Sequence, residues 1–193
     1  MSEEKLLPGS RKGLMRTTFV ALFAALTAAG TFIAIPVPLS PVPVVLQNLF
    51  ALLSGLILGP LLGAAAVGSY LLVGAIGAPV FAGAKGGIAH FFGPTGGYLF
   101  GYLLCAIVAG LVAGKPKAET KTALWRIALA AVLGIAAVYV PGLLRLSVKL
   151  GGDWNKTVSA GLLPFLVGDA AKIIVAAAVA PRLRRVAADR LDG

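Results

Sequence analysis

The stretch "PFLVGDAAKIIVAAAVAP" at residues 164–181 is apolar almost throughout, yet it holds one acid, Asp169, and one base, Lys172. About 20 apolar residues in a helix cross a hydrocarbon layer of roughly 30 Å, and this run approaches that length. A charged side chain near the centre of such a helix costs roughly 2.5–3.5 kcal/mol on insertion scales. Residues at i and i+3 share one helix face, so the two charges can neutralise each other if both turn toward the interior of a bundle. Two readings follow: a ligand or ion site, which intramembrane ionisable groups usually mark, or a plain intrahelical ion pair close enough to the outer interface to stay wet.

The rest of the chain agrees with a membrane setting. Of 193 residues, 59% are hydrophobic and 12% charged, with a mean hydropathy of +0.95. Soluble domains carry about a quarter charged residues. The expected fold class is all-α: one integral membrane domain over 1–193, a bundle of six transmembrane helices. Their expected bounds are 17–35, about 44–58, 61–79, 95–113, about 123–143 and 161–181, with a break between the second and third at Gly59-Pro60. The basic segment 1–16 precedes a run too long for a signal-peptide core, so the first helix reads as retained. The segment "IPVPLSPVP", with Pro36, Pro38, Pro41 and Pro43, is expected to be stiff and extended.

Net charge is +10, but the bases gather at the ends of apolar runs, which points to an anionic membrane leaflet and not to nucleic acid. With the N-terminus inside, twelve bases fall on cytoplasmic segments: Lys5, Arg11, Lys12, Arg16, Lys115, Lys117, Lys121, Arg126, Arg182, Arg184, Arg185 and Arg190. Four fall outside: Lys85, Arg145, Lys149 and Lys156. That bias places both termini in the cytoplasm, with 182–193 as a C-terminal tail. The Gly-rich, apolar stretch 81–94 is expected to fold back over a cavity, where irregular backbone is tolerated, and the stretch 144–160 reads as a third outer connection.

Other polar residues converge on the same end as Asp169 and Lys172. Gln47 and Asn48 open the second helix, Tyr70 lies in the third and Tyr98 opens the fourth. On the first helix Ala21, Ala25 and Ala29 repeat every four residues, a smooth face on which another protein's helix could lie. Several functions are excluded by absence. No G-x-x-x-x-G-K-[ST], H-E-x-x-H or G-x-S-x-G occurs, so the chain itself carries none of these ATP, zinc or serine-nucleophile motifs. The single histidine, His90, excludes a multi-histidine metal site within one chain, and the lone Cys105 cannot form an intrachain disulfide. No catalytic or metal-ligating residue is expected, and the chain does not read as an enzyme.

Four stretches carry a resemblance: "PVPVVLQNLFALLSGLILGPLLGA" (41–64), "YLLVGAIGAPVFAGAKGG" (70–87), "GPTGGYLFGY" (93–102) and "GLLPFLVGDAAK" (161–172). Together they resemble the BioY family, the biotin-specific substrate-binding (S) components of energy-coupling-factor (ECF) transporters. The chain departs from the family pattern at Val167 and at Ala84-Lys85; residues 103–160 match in hydropathy alone. The resemblance implies a protein of a bacterial inner or plasma membrane that captures biotin from outside and has no cofactor. It also implies partners: membrane lipid, and a transmembrane coupling protein bearing two ATPase subunits that bind the ATP. That coupling protein would dock on Ala21, Ala25 and Ala29. The implied ligand contacts are Asp169, Lys172, Gln47 and Tyr98 for the polar groups, with Tyr70, Phe81, Gly86 and Gly87 around the apolar body. Asp169 would accept from the ureido N–H groups; Lys172 would meet either the ureido oxygen or the carboxylate. The competing class is a stand-alone proton-coupled transporter of biotin or another small vitamin, with Asp169 as the proton site.

Overall fold

The fold is described by a computed structural model that covers residues 8–35, 40, 42–117 and 122–192. Six helical elements follow in order: α1 (Pro8–Ala29), α2 (Gln47–Ala75), α3 (Gly96–Ala113), α4 (Leu124–Lys149), α5 (Trp154–Gly161) and α6 (Leu166–Asp192). Between α1 and α2 a two-residue strand β1 (Ala34–Ile35) pairs antiparallel with β2 (Val44–Val45). Among the described residues, five helical stretches are long and apolar enough to cross a membrane: α1, α2, α3, α4 and the α5–α6 region. The centre is built from α2 and α3, whose apolar windows are 67% and 61% buried against 17% for α1.

The helix α2 is two helical limbs joined at a kink. Gly59 sits at φ 80°, ψ −179°, a region that L side chains rarely adopt, and Pro60 follows it without an N–H to give. In a straight helix Gln47 and Tyr70 would stand roughly 34 Å apart. Instead the Gln47 amide nitrogen is 2.7 Å from the Tyr70 hydroxyl, so the limbs 47–58 and 60–75 run side by side. The reversal expected at Gly59-Pro60 is therefore present. Glycine makes the limbs' approach close: a Cβ on Gly63 would lie 2.8 Å from the Gly55 Cα. A Cβ on Gly55 would lie 2.2 Å from the Ala106 carbonyl oxygen, which is how α3 comes to lie against the first limb.

Several expected bounds move. The first helix begins at Pro8, ahead of the expected 17. The second begins at Gln47 because Val44 and Val45 are already paired with Ile35 and Ala34. The stretch 144–160, read as a connection, is mostly helical: α4 runs to Lys149, and α5 starts where the Asp153 carboxylate caps the Lys156 backbone N–H at 3.0 Å. Residues 182–192, read as a tail, continue α6 past Pro181. Of the proline-rich segment, Pro36, Pro38 and Pro41 lie outside the described residues, as do Lys5 and Lys121.

The end of the bundle opposite Gln47 is tied by Arg184. Read from sequence as a cation of the tail, it is 3% exposed, because the turn of α6 that carries it faces α2 and α3. Its guanidinium donates to the Leu56 carbonyl, and to those of Ala113 and Gly114 at 3.1 and 3.0 Å. Arg126 donates to the Val112 carbonyl at 2.6 Å. Two cations thus meet the carbonyl end of α3, where the helix dipole is negative and the last C=O groups have no intrahelical partner. Arg16, Lys115 and Leu191 line one cleft, so the start of α1, the end of α3 and the end of α6 share one side of the bundle.

The limb contact gives a stability prediction. Gly55→Leu should destabilise the protein by about 1–3 kcal/mol through overpacking against α3. Gly68→Ala, with nothing within 4 Å of the added carbon, should leave it unchanged or slightly more stable. Thermal unfolding in detergent measures both; equal midpoints for the two variants would refute the close-contact account.

Candidate functional site

Asp169 sits in the first turn of α6, where the positive end of the helix dipole favours an anion. It is 4% exposed and Lys172, one turn on, is 6% exposed. Lys172 Nζ lies 3.2 Å from Asp169 Oδ1, the i,i+3 pairing expected from sequence. Two further donors reach the same carboxylate. Asn48 Nδ2, at the start of α2, lies 3.0 Å from Oδ1, and the Tyr139 hydroxyl of α4 donates to Oδ2. Three elements therefore converge on one acid. A buried charge is tolerable only when paired and hydrogen-bonded, and here it is both. Asn48 Oδ1 is buried with no partner among the described residues, so the cluster keeps one open acceptor.

Beside this cluster a second one forms around Gln47, which is fully buried. Its amide nitrogen meets the Thr31 and Tyr70 hydroxyls, and Thr31 passes its own proton to the Val80 carbonyl. Both amide hydrogens are thus used, while Gln47 Oε1 has no partner among the described residues. Tyr70 also stands edge-on to Phe81, with ring centroids 5.7 Å apart. The Phe81 ring can lie on α2 because residue 74 is glycine: a Cβ there would be 2.2 Å from the ring. Tyr98 is seated in the same manner. A Cβ on Gly142 or Gly161 would fall 2.7 or 2.5 Å from it, and its hydroxyl donates to the Gly161 carbonyl at 2.8 Å.

These residues border two adjoining hollows. The larger, about 380 Å³, is lined by Gln47, Phe81, Tyr98 and Tyr102, by Val42, Pro43 and Val45, and by Ala82, Gly83, Lys85, His90 and Thr95 from the loop that follows α2. That is within the usual size of small-molecule sites. The loop does fold back over a cavity, closed on itself by paired backbone hydrogen bonds between Phe81 and Lys85 at 2.8 and 3.1 Å. The smaller hollow, about 30 Å³, is lined by Asn48, Tyr139, Phe165, Asp169 and Lys172. It is about the volume of one water. Val42, Pro43, Val45, Tyr98 and Tyr102 border both, and so form the partition between them.

Of the residues singled out from sequence, Gln47, Phe81 and Tyr98 line the larger hollow, and Asp169 and Lys172 the smaller. Tyr70 stands behind Gln47 as its hydrogen-bond partner. Gly86 and Gly87 are brought elsewhere: Gly86 lies against the Ala78 carbonyl, and the Gly87 N–H donates to the Gly74 carbonyl at 2.7 Å. They shape the loop and do not border either hollow. Ala21, Ala25 and Ala29 are exposed along α1, while Phe23 and Thr27 of the same helix are buried. Sequence reasoning passed over Tyr139, Thr31 and the position of His90 on the larger hollow. His90 Nε2 is buried with no partner among the described residues.

A profile for the BioY family matches residues 4–189. The chain belongs to the BioY family. The biotin transporter BioY of Thermotoga maritima is 42% identical over 169 residues, covering 88% of this chain and 95% of that protein. The probable biotin transporter BioY of Pyrococcus horikoshii is 40% identical, covering 86% and 94%. A crystal structure of the S-component for biotin from an ECF-type ABC transporter superposes with a TM-score of 0.81 at 29% identity, covering 96% of this chain and 95% of that one. These relatives are named as transporters, not enzymes. Transporter kinship and five membrane-length helices make this a multi-pass membrane protein with a helical bundle fold.

The charge cluster carries its own prediction. Lys172→Met alone should destabilise the protein by about 3–5 kcal/mol, since it strands a buried carboxylate. Adding Asp169→Asn to that variant should recover part of the loss. Unfolding of the two single variants and the double variant measures the coupling; strictly additive effects would show that the pair does not act as a unit.

Proposed function

We propose that this chain is the membrane-embedded biotin-binding S component of an ECF transporter, which captures biotin from outside and delivers it to the cytoplasm with a coupling and ATPase module. The observation that carries the reading is the pairing of a buried Asp169–Lys172 cluster with an aromatic-walled hollow, in a fold superposing on an S-component for biotin. In this reading each limb of α2 counts as one crossing. The bundle then has six, with both termini cytoplasmic and the two hollows toward the outside.

Biotin carries a ureido head with two N–H donors and one acceptor oxygen, an apolar bicyclic body, and a carboxylate on a flexible tail. We assign the ureido head to the inner cluster. There the free Asn48 Oδ1 and the Asp169 carboxylate can accept its N–H groups, and Lys172 or Tyr139 can donate to its oxygen. The body would lie against Phe81, Tyr98 and Tyr102. The carboxylate would lie at the opposite, wetter end, beside the Lys85 ammonium and the open His90 nitrogen. Holding the head requires the partition at 42–45 to shift, because the inner hollow alone admits only about one water. The chain needs no cofactor in this reading; ATP is bound by the partner subunits. The exposed Ala21, Ala25 and Ala29 would receive the coupling protein. Asp169 is held by three donors at once, which suits a fixed carboxylate better than a proton carrier.

Titration of the purified protein with labelled biotin tests the assignment. Asp169→Asn and Lys172→Ala should each weaken binding about 100-fold or more, the scale of losing one partner of a buried charged contact. Lys85→Gln should weaken biotin but not biotin methyl ester; equal loss for both ligands would move the carboxylate elsewhere. Ala25→Trp should abolish ATP-dependent uptake while biotin binding stays normal, and full uptake would remove α1 as the docking face.

A further inference from the structure

A second cleft, about 360 Å³, opens at the other end of the bundle, where the start of α1, the reversal in α2, the segment after α3 and the end of α6 meet. Its lining divides by chemistry. One part is apolar: Leu58, Pro60, Leu61, Leu62, Ala188 and Leu191. The other is cationic: Arg16, Lys115 and Lys117. Among the described residues no acid belongs to the lining, and the ion pairs Asp153–Lys156 and Asp169–Lys172 lie elsewhere. Asp189, next to Ala188, and Asp192, next to Leu191, are the described acids nearest in sequence, and Asp189 is exposed.

The backbone at one of the cations is held in place. Arg184 donates to the carbonyls of Gly114 and Lys115 at 3.0 and 3.4 Å, fixing the backbone that carries Lys115. The Lys115 stem runs beside the turn, so that a Cβ on Gly59 would meet its Cγ at 3.8 Å. Leu61, just past the turn, is 76% exposed and belongs to a helix long and apolar enough to cross a membrane. The cleft therefore offers three exposed cations together with apolar side chains. A molecule that satisfies both halves has an anionic head on a hydrocarbon tail.

We propose that this cleft binds the phosphodiester headgroup of an anionic phospholipid. Arg16, Lys115 and Lys117 meet the phosphate, and the upper acyl chain lies over Leu61 and Leu62. Basic clefts between helices at one membrane face have this selectivity because each surface cation adds a favourable interaction with anionic lipid. The site is separate from the hollows around Gln47 and Asp169 and stands whether or not those bind biotin.

Native mass spectrometry of the purified full chain, equilibrated with equal phosphatidylglycerol and phosphatidylcholine, tests it. The wild type should retain phosphatidylglycerol in clear excess. Lys115→Gln and Lys117→Gln should each lower that excess about five-fold. Lys149→Gln, at the opposite end, should not change it. Glycerol 3-phosphate, which has the head but no tails, should fail to displace the lipid. Equal retention of the two lipids, or an excess unchanged in the double variant, would overturn the proposal. So would a double variant that keeps its lipid preference but loses uptake with the coupling module, which would make the cleft a protein-docking surface. Biotin titration of the same variants reports their folding independently of the lipid readout.

Discussion

The backbone reversal at Gly59 is the constraint on which the remaining architecture rests. Glycine takes a conformation there that L side chains rarely adopt, and Pro60 ends the hydrogen-bonded register of the first limb. The reversal returns Tyr70 to the level of Gln47, and with it the loop whose Phe81 and Lys85 cover the larger hollow. The same turn forms the floor of the cleft at the far end, beside Lys115 and Pro116. Both ends of the bundle therefore inherit their shape from one residue's backbone freedom. Arg184 secures the arrangement from the other side by collecting the carbonyls at the ends of the first limb and of α3.

Polar chemistry is concentrated in two clusters that share a wall. One is organised by a carboxylate and consumes donors from α2, α4 and α6. The other is organised by an uncharged amide whose hydrogens meet the Thr31 and Tyr70 hydroxyls and the Val80 carbonyl. Each leaves a buried acceptor unpaired, Asn48 Oδ1 in one and Gln47 Oε1 in the other. An unpaired buried acceptor is costly, on the order of 1–3 kcal/mol, unless a donor arrives. The two atoms belong to adjacent residues that line adjoining hollows.

Much of this was legible in sequence where a residue's burden is local. Asp169 and Lys172 stand out because their cost in an apolar helix is fixed by the helix itself, and Gly59-Pro60 because both residues restrict the backbone directly. The alternating Gly-rich loop after α2 was likewise readable as a cavity cover. What escaped depended on distance in the chain. Tyr139 sits in an unremarkable apolar run, and its role comes from a carboxylate 30 residues away. Arg184 carries the same charge as the exposed arginines around it, and only the packing of α6 on α2 and α3 sets it apart. The short helix α5 was read as a connection because it is too short to span, although Asp153 three residues before Lys156 is an ordinary N-cap signal. Gly86 and Gly87, expected beside the apolar body of a ligand, lie in the turn packed on Ala78 and Gly74, a placement set by contacts outside their own stretch of sequence.

The partition built from Val42, Pro43 and Val45 has a kinetic consequence. It is pinned at both ends, at Val44 and Val45 by pairing with β1 and upstream by Ser40, whose hydroxyl donates to the Ala160 carbonyl of α5 at 2.6 Å. A guest filling both hollows would press on that tether, so its entry and exit would be coupled to how firmly β2 is held.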